Sequence, residues 1–541
     1  MKTIYPVFLF LLAFCPLWGT TFYLDPINGS LSNNGSLSNP FPSFKEVINA
    51  NLIESYRYNN LPYNPQTSQL VIKNSGAPIQ GGDTLILMEG KHGSIELDQY
   101  FNQEWITVLA AKDATVQIAN LHIRAGSKWR FEGLDISSEP YGNYYPGSLV
   151  YMESHGHRGP VHDIDIRNCF VYSAMDISAW NESDWLSNVS SGMNLKGSNM
   201  RIEGNVIRNI DMGISLVGDS MLALNNQVIN FSGDGMRALG ANQLIEGNLI
   251  KNCYKVDDNH DDGIQSFNLG TYDVRNITIR NNVILNYDDP NQNLLGPLQG
   301  IGCFDGPFDN WLIENNIVSV NHWHGISLYG AFDCKIYHNT VIDPTPDLTP
   351  GPSWIRITDN KNGTPSARCE VKNNVANSFS ADAELSHNIV LKNYQDYEDN
   401  FEDYRQYDFR LKPGSVLIDA ADPCCYPSTD IYGNVRPQGT LPDVGAVEYV
   451  KPVGTVNLEN PDAGFTIYPN PVSSILNVYY DHELPQKKSR LQIIDTQGKV
   501  IYHSWIAFPE KLSNIPVLGL TPGFYELKVE GLGSRKFMVA R

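Results

Sequence analysis

The chain has 541 residues, with 39 Lys and Arg against 59 Asp and Glu, a formal charge of −20 at neutral pH. At 42% hydrophobic and 11% aromatic it is no disordered polymer, and 18% charged is low for a coiled coil. It is too long for one packed core, so it divides into domains or grows by repeats, and its acidity excludes nucleic acid, whose binders present a basic face.

Residues 1–20 read as a secretory signal peptide. Lys2 gives the positive start, Ile4 to Trp18 an apolar run too short to span a membrane, and Gly19-Thr20 small residues for cleavage. A lipoprotein anchor at Cys15 is the rival, disfavoured by bulky Phe14 before it and Pro16 after it. The mature chain is expected to be exported, soluble and monomeric, and one unit more negative once Lys2 is lost. Seven cysteines remain, Cys169, Cys253, Cys303, Cys334, Cys369, Cys424 and Cys425, in neither a disulfide-framework nor a zinc spacing. Most are expected in the core, with one bridge at Cys424 or Cys425.

From Trp129 to about Asn374 a phrase recurs: alternating apolar residues, then Asn, then apolar residues again. Examples are Ile164-Asp165-Ile166-Arg167-Asn168, Leu244-Ile245-Glu246-Gly247-Asn248 and Leu312-Ile313-Glu314-Asn315-Asn316. Two short strands meeting at an Asn corner, stacked coil on coil, predict an all-β fold: a right-handed parallel β-helix over 21–450. Asn tolerates the left-handed backbone of a corner, and its amide can stack on the next coil's Asn. Taking Asn168, Asn205, Asn226, Asn248, Asn282, Asn316, Asn339 and Asn374 as the ladder, the bare coil is about 22 residues, and four coils carry about a dozen extra. Those insertions, rich in Trp, Tyr, His and Asp, are expected to wall a groove.

The opening Thr21-Phe22-Tyr23-Leu24-Asp25-Pro26 and Gly82-Asp83-Thr84-Leu85-Ile86-Leu87 resemble the N-terminal cap and first coils of secreted β-helix proteins. Asp408-Phe409-Arg410-Leu411 and Asp443-Val444-Gly445-Ala446-Val447-Glu448 resemble the closing segment of bacterial β-helix carbohydrate enzymes. A Pro/Gly-bearing linker is expected over 451–464. In 465–541, Tyr468-Pro469-Asn470-Pro471, Gly498-Lys499-Val500-Ile501, Leu520-Thr521-Pro522-Gly523-Phe524-Tyr525 and Lys536-Phe537-Met538-Val539 punctuate short strands, which predict a small β-sandwich. This ordered set resembles the type A sorting domain of the type IX secretion system. The resemblance implies export through the periplasm to the cell surface or medium, with that machinery as a partner.

If the apolar positions of successive coils point inward, Ser215, Arg237, Gln265, Gly302, Ser327 and Arg356 form one outward row. Asp234, Asp262, Gln299 and His324 form a second. The densest chemistry lies in Tyr254-Lys255-Val256-Asp257-Asp258-Asn259-His260-Asp261-Asp262, with Asp305 and His322-Trp323-His324 on later coils. Such an Asp-rich run is often a solvated turn; here it leads directly into a stacked strand.

A uronate lyase needs a carboxylate neutraliser, a base for the C5 proton and an acid for the leaving oxygen. Arg237, Arg356 or a Ca²⁺ held by Asp257, Asp258, Asp261 or Asp262 would serve the first; His260, or Lys255, the second; Tyr254 the third. Asp234, Asp262, Gln265, Gln299, Asp305, His322, His324 and Arg356 would line the substrate. Asp258-Asn259-His260-Asp261 resembles the Asp-Pro-His motif of β-helix alginate epimerases and lyases, with Asn259 in place of the proline. The leading expectation is therefore a polysaccharide lyase acting on an acidic polymer. The alternatives are a glycoside hydrolase pairing Asp234 with Asp262 or Asp261 with Asp305, and a non-catalytic adhesin.

Overall fold

The computed structural model describes residues 19–451, without 269, 271–272 and 289–291. In the tail it describes 464–468, 472, 475–480, 488–495, 498–507, 512–517, 520 and 523–539. The expected signal peptide and linker fall outside these residues, save for their end positions. The chain forms two compact units, residues 1–243 with 256–258, and residues 244–255 with 259–541.

The first unit opens on Thr21–Leu24, which pairs in parallel with Thr84–Leu87, and that strand in turn with Gly90–Ala110. A short helix, Phe44–Asn49, closes the start of the coils. Ser43 caps it in a capping box with Glu46, and Phe44, Val47 and Ile48 are buried. Burying an apolar face there covers core that an end coil would otherwise expose. Parallel register then runs through Ile95, Leu121, Val150, Met193 and Ile214, all buried. The alternate residues Glu96, His122, Tyr151, Asn194 and Ser215 make the outward row, as strand alternation requires.

In the second unit Asp262–Phe267, Gln299–Asp305, His324–Tyr329, Trp354–Thr358 and Ser378–Ala381 pair in succession, all parallel. Ile264, Ile301, Ile326 and Ile355 stack inward with no exposed surface. Two more parallel stacks complete each coil, one through Arg275–Arg280, Leu312–Glu314 and Lys335–Tyr337, the other through Leu249–Cys253, Val283–Leu285 and Ile317–Ser319.

The asparagine ladder is present in both units. Asn205 donates to Asn226 Oδ1 at 2.9 Å in the first. In the second, Asn248, Asn282, Asn316, Asn339, Asn374 and Asn388 each pass an amide hydrogen to the next. Two details correct the sequence reading. The rung before Asn205 is Cys169, whose backbone N–H meets Asn205 Oδ1 at 2.9 Å, so Asn168 is not a ladder member. The left-handed corner also belongs to the residue before each ladder Asn: Gly204, Asn225, Gly247, Asn281, Asn315, His338 and Asn373 have φ between 51° and 70°. One residue turns the chain and the next stacks. Asn388, only 14 residues after Asn374, was hidden by its short step.

The far end is sealed by a core of Leu391, Tyr397, Phe401, Phe409, Leu411, Leu417, Val444 and Ala446 against Ile317, Ile342 and Val375. Beneath it Arg436 Nη1 lies 3.3 Å from Glu448 Oε2, both fully buried, and donates to the Asp443 carbonyl. Cys424 and Cys425 are bridged to each other, and the other five described cysteines are buried. The tail forms a three-stranded and a four-stranded antiparallel sheet. Its own core contains Phe465, Leu476, Val478, Leu491, Ile493, Leu527 and Phe537.

Candidate functional site

The second unit gathers most of the residues singled out from the sequence. Gln265, Gly302, Ser327, Arg356 and Ser380 are in register on successive strands, and Asp262 is in register with Gln299. Gly302 is required by its neighbour, because a Cβ there would lie 2.0 Å from Asp262 Oδ1. Asp262 is buried and accepts from Gln265 Nε2 at 3.0 Å. Asp261 is buried 3.2 Å from Lys255 Nζ, which also donates to the Asn259 carbonyl. Lys255 thus holds the turn together rather than projecting as a base. Tyr254 is half-buried on the same turn, whereas His260 is exposed, with its Nδ1 3.4 Å from the Gln299 amide.

Beside this turn lies an aromatic cluster. His322 stacks on His324 with centroids 5.2 Å apart, and Phe304 meets His324 edge-on at 4.7 Å. Trp323, 42% exposed, lies nearly parallel to Trp354 at 6.4 Å. Burial pushes the His322 imidazole down to about 4, with His260 adding to the effect. Burial also pushes His324 down to about 4, helped by the charges of His322, Arg356 and His260. The hydrogen bonds assign their tautomers. His322 Nδ1 accepts the His324 backbone N–H at 3.1 Å, and His324 Nδ1 accepts Trp354 Nε1–H at 3.3 Å. Neutral rings with Nδ1 so occupied carry their proton on Nε2, which makes them donors rather than bases at neutral pH.

Arg356 completes the cluster. Its guanidinium lies 5.4 Å from the Trp354 ring centre and 5.8 Å from that of Tyr329, distances of cation–π contact. Its Nε is buried without a hydrogen-bond partner. Ser327, read as outward, is covered by the His324 ring at 2.9 Å and the Trp354 indole at 3.2 Å. Asp305 is exposed and pairs with Lys361 at 3.3 Å. Sequence reading missed Phe304, Tyr329 and Lys361, because single aromatic and basic residues in strands and loops carry no motif.

In the first unit Arg237 Nε meets Asp234 Oδ2 at 2.6 Å, and the Asp234 side chain is wholly buried. Arg237 is therefore neutralised by the turn just before its own strand. Asp211, also missed, lies beside them: burial raises its carboxyl, opposed by Arg237 and reinforced by Asp257. Asp257 and Asp258 are exposed. Among the described residues no three His, Cys, Asp or Glu side chains converge as a metal-holding group.

Residues 191–394 match the family described as right-handed beta helix region, and residues 466–539 match the secretion system C-terminal sorting domain. No curated protein matches the chain. Among solved structures it is similar to the GH136 lacto-N-biosidase from Eubacterium ramulus, at 12% identity and TM-score 0.32 over 69% of this chain and 68% of that one. It is similar to the Dettilon tailspike protein at 11% identity and TM-score 0.37, over 82% of this chain and 74% of that one. A third likeness is tailspike protein 2 from the Escherichia coli O157:H7 bacteriophage CAB120, at 10% identity and TM-score 0.25, over 85% and 64%. Stacked parallel coils, the asparagine ladder and the matched tail together make this chain a right-handed β-helix protein with a C-terminal secretion-system sorting domain, which places it outside the cell or on its surface.

Proposed function

We propose that the chain cleaves a uronate-bearing polysaccharide by β-elimination on the face built from His260, Gln299, the 322–329 strand region and Arg356. The observation that carries this is Arg356, held over Tyr329 and Trp354 with a buried Nε that lacks a partner. A substrate carboxylate bound there would have its charge neutralised, which acidifies the neighbouring C5 proton. His260 removes that proton, the C4–O bond breaks as the C4=C5 double bond forms, and Tyr329 protonates the departing oxygen. Tyr329 takes the acid role in preference to Tyr254 because it lies in contact with Arg356. Trp323 and Trp354 offer apolar faces for sugar rings, and the Nε2–H groups of His322 and His324 donate to hydroxyls. Hydrolysis fits this face less well: Asp261 and Asp262 are buried, which leaves Asp305 as the exposed carboxylate of the three where two are needed.

The test is digestion of a panel of uronate polymers, followed by the ultraviolet absorbance of the unsaturated product. Wild type should generate it, and His260→Ala should lower turnover by about 10²-fold or more, the usual scale for losing a general base. Arg356→Ala should lower turnover and raise KM together. Fragments without the unsaturated end would replace elimination by hydrolysis, and binding with no fragments would make the face an adhesin.

A further inference from the structure

The first unit holds a cluster that the elimination reaction does not use. The row Glu96, His122, Tyr151 and Asn194 lies outward on four successive strands. Arg124 and Glu153 stand in register two residues further along. His122 is 8% exposed, and its two ring nitrogens reach different carboxylates: Nε2 to Glu153 at 2.9 Å and Nδ1 to Glu96 at 3.5 Å. Arg124 also touches both, at 3.6 Å each. Tyr151 stacks under the His122 ring at 4.8 Å, which fixes its plane.

The row lies between two flanking segments. At one end of the strands the Tyr141 hydroxyl accepts the Gly93 N–H and donates to the Gln117 carbonyl, holding the 139–147 segment with its exposed Tyr144. At the other end Lys73 donates to the Asp98 backbone carbonyl, and Arg158 from the 154–160 loop pairs with the Asp98 carboxylate. Side-chain oxygens of Asn120 and Asn194 are buried here without hydrogen-bond partners.

We propose that Glu96 and Glu153 form a second catalytic centre, one that hydrolyses a neutral glycan. One imidazole and one guanidinium each contact both carboxylates, which keeps the pair within the upper limit of roughly 9.5 Å at which glycosidases hold their two carboxylic groups. Glu153, 21% exposed against 49% for Glu96, is the acid. It passes a proton to the glycosidic oxygen as the C1–O bond breaks. Glu96 takes a proton from the attacking water, whose oxygen bonds to C1, and His122 between them returns it to Glu153. One water is consumed and no net proton is released. Arg124 is committed to Glu96 and Glu153, and Arg158 to Asp98, so neither is left to neutralise a uronate carboxylate, which separates this substrate class from that of the second unit.

The full chain is assayed on a panel of aryl glycosides of neutral hexoses and N-acetylhexosamines, and on neutral polysaccharides for new reducing ends. Wild type should hydrolyse at least one, and Glu153→Gln and Glu96→Gln should each lose about 10²-fold or more in kcat. Formation of unsaturated uronate product should be unchanged in both variants. Glu96 is half-exposed, so Glu96→Gln keeps the test valid should Glu153→Gln fold poorly. Absence of hydrolysis across the panel by wild type, or wild-type kcat in folded Glu96→Gln, would overturn the proposal. Neither result touches the elimination reading, whose probe is Arg356→Ala.

Discussion

Asn282 and Asn316 share one oxygen: Asn316 Oδ1 accepts both the Asn282 backbone N–H at 2.9 Å and the Asn282 side-chain amide at 3.0 Å. Asn316 in turn donates to the carbonyls of Ile279 and Glu314 and to Asn339 Oδ1. A ladder rung thus satisfies donors and acceptors on three coils, all away from water. Asn316→Ala should orphan several of them at once. At about 1–3 kcal/mol for each buried group left unsatisfied, a loss of about 3 kcal/mol or more in urea unfolding is expected. A change within about 0.5 kcal/mol would mean that water replaces the rung.

The inward row makes a sharper demand. Ile301 is fully buried between Ile264 and Ile326. Ile301→Asp should abolish cooperative folding of the second unit, since a charge would enter the core without a partner. Ile301→Val should cost only about 1 kcal/mol. Equal melting temperatures for the two variants would show that this position faces solvent.

Buried histidines, His92 among them, shape the response to acid. Burial holds His322 and His324 down to about 4, and His338, which accepts from Arg436 Nη1, to about 3. The unfolded chain protonates these rings near 6.5 while the folded chain does not, so stability is full above about pH 6.5 and falls as the pH drops towards about 4. Asp343 and Asp443, raised to about 6 by burial, act in the opposite direction over part of that window. The His324→Gln chain isolates one ring. Its stability relative to wild type should improve steadily from about pH 6.5 down to about pH 4.5 in chemical denaturation. An offset that does not change with pH would show His324 titrating at its ordinary value.

Trp323 separates binding from chemistry. It is exposed, lies parallel to Trp354 and touches no group assigned to proton transfer other than through the His322 ring. Trp323→Ala should raise KM several-fold on the polymer with kcat little changed. A collapse of kcat at unchanged KM would move the tryptophan into the reacting centre.

The coils and the tail were readable because stacking repeats a residue type at each rung: Ile264, Ile301 and Ile326 inward, Asn282 and Asn316 at the corner. Cys169 and Asn388 escaped for the same reason, one by changing type and the other by shortening the step. Catalytic rows have no such redundancy. Glu96, His122 and Glu153 lie on three separate strands, ahead of or at the start of the clear repeat, and only the strand register brings them together. Arg237 illustrates the converse. Its place in the outward row was legible, but its 2.6 Å commitment to Asp234 depends on a side-chain direction that spacing does not encode.

The last prediction concerns export. The tail's buried core, from Phe465 and Leu476 to Phe537 and Val539, shares no residue with the core that seals the β-helix around Tyr397, Phe409 and Val444. Cores without common members can fold separately once the segment joining them is cut. Deleting 465–541 should therefore leave a β-helix that melts at its original temperature, while the matched sorting segment, 466–539, is lost. In a host carrying the secretion machinery, the truncated chain should collect in the periplasm, and the full chain should reach the surface or medium. Fractionation with immunodetection distinguishes the two. Truncated chain outside the cell would show that another segment directs export, and a lowered melting temperature would show that the tail supports the β-helix directly.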